Sequence, residues 1–117
     1  RVFDALARHV QERAHHGLET DEAEALGAVL AGLDPEAAYR LFSDWMHPRT
    51  FLQRVVESPS QRLLHWTAVS GLGRLPGEEP EKLLRWFLGR SSGDLHQLCL
   101  AALVQRRRDQ RQRDGHA

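Results

Sequence analysis

The histidines, tryptophans and arginines are the side chains here with most chemistry to offer, and their spacing decides which chemistry. His9, Glu12 and His16 recur at i, i+3 and i+7, on one face of a helix. An imidazole and a carboxylate one turn apart make half of a zinc site, but zinc needs at least three protein ligands. Arg13 adds a cation to the same face, no third ligand follows at matching spacing, and no HExxH occurs. We read a solvated histidine-rich face and no metal. His15 and His16 adjoin an expected helix end, where a protonated imidazole complements the dipole. Residues 71–77, GLGRLPG, are glycine-rich, but phosphate-cradling loops follow a strand and this one follows a helical pattern. No P-loop, GxGxxG, GxSxG or local nucleophile–base pair is written. The expectation is therefore a non-enzymatic chain without a cofactor. Cys99 is the sole cysteine, so an internal disulfide and a cysteine zinc cluster are both ruled out.

The elements that hold these side chains read as helices throughout. Val2, Phe3, Leu6, Ala7, Val10 and Ala14 recur at helical spacing over 2–17, with Gly17 as the stop. Thr20 is the expected cap of a second helix, with Asp21, Glu22 and Glu24 near its positive end. Its apolar stripe reads Ala23, Leu26, Val29, Leu30 and Leu33. Asp34-Pro35 is a restart signal, an N-cap followed by proline at the first helical position. The third helix then carries Ala38, Leu41, Phe42, Trp45 and Met46. Pro48 ends it and opens a short fourth helix with Phe51, Leu52, Val55 and Val56. Ser58-Pro59-Ser60-Gln61 is a capping box that starts a fifth. Its stripe is Leu64, Ala68, Gly71, Leu72 and Leu75. Pro76-Gly77 turns the chain into a sixth helix with Leu83, Leu84, Phe87 and Leu88. Residues 91–93, SSG, break it, and a seventh holds Leu95, Leu98, Cys99, Ala102 and Leu103. No window alternates with period two, so the class is all-α. The chain divides into one domain over 1–108 and a basic, frayed tail over 109–117.

Part of the chain repeats. RLLHWTAVSGLGRL (62–75) lies over GDLHQLCLAALVQR (93–106), which sets Leu64 on Leu95, His65 on His96 and Leu72 on Leu103. Small residues fall on small ones: Ala68 on Cys99, Ser70 on Ala101 and Gly71 on Ala102. One amphipathic helix separates the two copies. Over residues 59–108 this pattern resembles HEAT repeats of the short bacterial type, with their Ala-Leu-Gly core. A more distant echo relates Ala37–Phe42 to Lys82–Phe87. The resemblance implies an α-solenoid, a right-handed stack of about seven helices with a face for a protein partner. It brings no catalytic residue with it. A non-repetitive helical bundle stays open as the alternative.

Charge and surface chemistry narrow the partner. Net charge is zero, yet residues 1–46 hold four Arg against nine acids, a balance of −5, and residues 47–117 a balance of +5. Exposed Trp beside Arg is the chemistry of a protein-binding hot spot. The candidate docking residues are therefore Arg62, His65, Arg85, Trp86, His96, Arg106 and Arg107, facing an acidic protein. The runner-up is nucleic acid, bound by the tail RRRDQRQR (106–113) through phosphate neutralisation. Asp109 and Asp114 interrupt that tail, and no aromatic interleaves for base stacking. No apolar run approaches the roughly 20 residues of a membrane span. Arginine is favoured fifteen to one over lysine, and isoleucine and asparagine are absent. That bias points to a GC-rich bacterial genome, and the expectation is a cytoplasmic scaffold or adaptor module of a longer protein. Cys99 lies on the apolar stripe of its helix, so a thiol reagent in native buffer should label it far more slowly than a free small thiol, and fast labelling would show that the stripe is misplaced.

Overall fold

The computed structural model describes residues 1–47 and 58–115. Within them lie six helices: α1 Val2–His15, α2 Thr20–Leu33, α3 Pro35–Met46, α4 Pro59–Leu72, α5 Glu78–Leu88 and α6 Gly93–Gly115. There is no strand among the described residues. The count is six rather than seven, because the expected helix at Phe51–Val56 lies outside the described residues.

The punctuation works by the chemistry that the sequence suggests. The Asp34 carboxylate accepts from the Ala37 amide at 3.1 Å, with Pro35 beside it. The Ser58 hydroxyl accepts from the Gln61 amide at 3.2 Å, ahead of Pro59. Thr20 is not a cap: it is the first helical residue, and Glu19 precedes it without a side-chain bond. Gly17 and Gly77 both sit at φ +98°, a conformation that glycine takes without the clash of a Cβ. Gly17 ends α1 and Gly77 starts α5.

Helix α4 is the axis of the molecule. It packs on each of the other five helices. Helices α2 and α6 lie on either side of it and do not pack on each other. Helix α3 packs on α2, α4 and α5, and α5 on α3, α4 and α6, while α1 covers α2 and α4. The radius of gyration is 13.8 Å, close to the roughly 13 Å of a globule of this length.

This placement explains where the two repeat copies differ. Ala68 and Cys99 are both fully buried, and so are Gly71 and Ala102, or nearly so. Leu72 and Leu95 are buried, but their counterparts Leu103 and Leu64 are half-buried. Val69 is buried where Leu100 is exposed. Helix α4 has neighbours on nearly every side, and α6 has them on one. Burial pushes the Cys99 thiol up to about 11.

The closest approach is that of α2 to α4. A methyl group at Gly27 would overlap the Thr67 carbonyl oxygen and press on the Gly71 amide. One at Gly71 would overlap the Phe42 ring and the Gly27 carbonyl. Phe42 is fully buried against this crossing. The α2 stripe is accordingly Ala23, Gly27, Leu30 and Ala31, while Val29 and Leu33 are about half exposed. The expected stripe was rotated toward the large aliphatics, whereas the close neighbour selects the small residues.

At the C-terminus residues 116–117 lie outside the described residues, and residues 109–115 continue α6. They present no apolar face, and local bonds support the helix: Gln105 donates to Asp109 at 3.1 Å and Gln110 to Asp114 at 3.2 Å. At the other end of the chain, Arg13 donates twice to Glu22, at 3.3 and 3.1 Å, and ties α1 to α2. Gly27→Ala should cost about 1–3 kcal/mol or more, since a backbone carbonyl has to yield. Gly32→Ala, on the same helix with open space around it, should instead stabilise by about 0.5–1 kcal/mol. Urea unfolding followed by circular dichroism separates the two.

Candidate functional site

Trp86 is the centre of the richest side-chain cluster at the surface. It leaves α5 beside the end of α3 and is half-buried. The His47 ring stacks on it with centroids 4.7 Å apart and planes 21° from parallel. The Arg90 guanidinium lies 4.5 Å from the indole centroid, a cation–π contact. The Nδ1–H of His47 donates to the Ser43 carbonyl at 2.6 Å, which fixes the imidazole at the C-terminal cap of α3. Helix α5 presents Trp86 because Leu83, Leu84 and Phe87 turn inward. Phe87 lies 6.4 Å from Trp86 between centroids, and its ring and that of His65 meet in a T-shaped arrangement at 5.1 Å.

The seven residues singled out from the sequence do not form one patch. Trp86, His65 and His96 belong to the end of α5 that faces α3 and the α5–α6 turn. His65 is buried against Phe87. His96 is half-buried, and its Nδ1–H donates to the Leu88 carbonyl at 3.2 Å, closing the end of α5. Arg62 is half-buried in the first turns of α4. Arg85 is exposed and pairs with Glu81 one turn back at 3.6 Å, an arrangement that contributes only a few tenths of a kcal/mol.

Arg106 and Arg107 lie elsewhere. The Arg106 guanidinium donates to the carbonyls of Leu72, Leu75 and Gly77. It therefore satisfies the end of α4 and the turn into α5, and burial lowers its pKa. Such a side chain is committed within the fold. Arg107 is exposed. With Glu78, Glu81, Gln110, Arg111 and Arg113 it lines a shallow groove of about 460 Å³ between α5 and α6. The carboxylates in that groove offset part of its positive charge.

His47 and Arg90 were missed by sequence reading. Arg90 had a legible signal, four residues after Trp86, the spacing at which helical neighbours meet. His47 had none, because its meeting with Trp86 joins two helices. The other two tryptophans serve the interior: Trp45 is buried and tilts against Phe42 at 6.0 Å, and Trp66 packs partly buried on the core.

Among the described residues no three His, Cys, Asp or Glu side chains gather closely enough to hold a metal ion. His9, Glu12 and His16 are all exposed. No described helix is long and apolar enough to cross a membrane. Arg106→Ala should take the side-chain donor from the Leu75 and Gly77 carbonyls, with the Leu72 carbonyl keeping the Leu75 amide, and cost about 1–2 kcal/mol. Arg107→Ala should change stability by less than about 0.5 kcal/mol. Thermal melts of the two variants provide the comparison.

No family model, curated protein or solved structure matches this chain.

Proposed function

We propose that the chain is a non-enzymatic protein-interaction module, a HEAT-like scaffold or adaptor domain of a larger cytoplasmic bacterial protein. Its docking centre is Trp86, and its partner carries an acidic surface. The observation that carries this reading is the Trp86 cluster itself. A half-buried indole held by His47 and Arg90, with Arg85 beside it on α5, is a rigid aromatic anchor with cations within reach. Hot spots draw most of their energy from such Trp and Arg side chains, and surrounding charge speeds the encounter. The order of helix contacts supports the HEAT-like part of the reading. Helix α4 packs on both α2 and α6, α3 packs on α5, and α3 packs on α4 as α5 packs on α6.

A second reading draws on α6. Its end continues as a helix through Gly115 and exposes Arg107, Arg108, Arg111 and Arg113, a rod that suits phosphate neutralisation. Asp109, Asp114, Glu78 and Glu81 lie along or beside it, which favours the protein reading.

Affinity capture with the immobilised domain and its Trp86→Ala variant, read by quantitative mass spectrometry, tests the assignment. An acidic protein should bind the wild type and be lost at least about tenfold on Trp86→Ala, with circular dichroism unchanged. Truncation after Arg106 should weaken its binding by only a fewfold. Retention by the tryptophan variant, together with loss on truncation and salt-sensitive binding to generic duplex DNA, would favour nucleic acid instead.

A further inference from the structure

Helix α6 has a second apolar face. Leu95, Cys99 and Ala102 turn inward and are buried, yet Leu100 and Val104 are 40% and 49% exposed on the opposite side. Around them Gly93, Gln97, Arg107 and Arg111 are exposed as well. Positions 93, 97, 100, 104, 107 and 111 alternate in steps of four and three, the spacing of a seam between two packed helices. No described helix covers this side. The seam is also polar along its length: Asp94 stands at its start, and Arg107, Arg108 and Arg111 at its end.

That order makes the seam self-complementary. When two copies of α6 run antiparallel with Leu100 facing Val104 of the other copy, the two-fold axis repeats every contact. In this register Asp94 and Arg108 of the second copy fall on the same flank of the seam, about 3 Å apart along the axis at 1.5 Å per residue. Arg111 of the second copy crosses at Gly93, where no side chain obstructs it, one residue from Asp94. Arg107 of the second copy lies level with Gln97. Antiparallel helices also set opposite ends of their dipoles side by side. A parallel pairing would bring the arginines together and leave each Asp94 beside the other.

We infer that the outward face of α6 is a homodimer seam, antiparallel, centred on Leu100 and Val104 and oriented by Asp94 and Arg108. The overlap runs over residues 93–111, about 28 Å of helix. That is a small interface, so the dimer is reversible, with a Kd on the order of tens of micromolar. It lies on a different surface from Trp86 and stands independently of the function assigned there.

Sedimentation velocity on the wild-type chain, from a few micromolar to about 500 µM, should show a monomer–dimer exchange. Leu100→Asp and Val104→Asp, both at exposed positions, should each weaken it at least about tenfold while circular dichroism stays unchanged. Asp94→Arg alone and Arg108→Asp alone should weaken it. The double exchange Asp94→Arg with Arg108→Asp should recover most of the loss, which an apolar contact without this register would not do. A wild-type chain that stays monomeric at the top concentration overturns the inference. So does a dimer indifferent to both aspartate substitutions, or a double exchange no better than the singles.

Discussion

Everything in this fold is set by how closely α2 and α4 approach. Two helices with ordinary side chains at their crossing sit 8–10 Å apart. Here the backbone of one meets the backbone of the other, because Gly27 and Gly71 have no Cβ to intervene. The Phe42 ring is laid against Gly71 and closes the third side. The contact has a cost, since glycine inside a helix is about 1 kcal/mol worse than alanine. It is offset by bringing Leu30, Val69 and Leu72 into full burial around it. Once α4 is drawn that close to α2, its remaining sides are left for α1, α3, α5 and α6. A near relative of the same device recurs on the far side, where a methyl at Gly73 would crowd Ala102.

The elements were legible from the sequence because their ends are marked by local chemistry. Asp34 with Pro35, Ser58 with Pro59, and Gly77 each need only a few neighbouring residues to act, and each acts as read. Facing was less legible. The α2 stripe was misjudged because a pattern of large aliphatics names the face that is apolar, not the face that a close neighbour selects. Val29 and Leu33 were therefore placed inside when Gly27 and Ala31 are there. The length of α6 was less legible for a related reason: periodicity has nothing to find where a helix is supported by its own Gln–Asp pairs.

The candidate site was half legible. Trp86 and Arg85 stand out by type, and their helix turns them outward as its stripe requires. The stacking of His47 joins residues 39 apart, and no local pattern encodes a meeting of that kind. Arg106 shows the opposite error. Its place in an arginine run suggested a solvated cation for a partner, yet this side chain reaches back to the carbonyls of Leu72, Leu75 and Gly77, where the chain leaves α4 and turns into α5.

That reach has a consequence for how the molecule comes apart. Arg106 binds the chain 29 to 34 residues back, so all of α5 is enclosed in a loop whose two ends are fastened together. The close contact of Gly73 with Ala102 fastens the same loop a second time. A segment held in that way does not open alone. Its inner amide protons should become available to solvent mainly when α6 lifts off α4, so that α5 borrows part of its persistence from a helix that follows it.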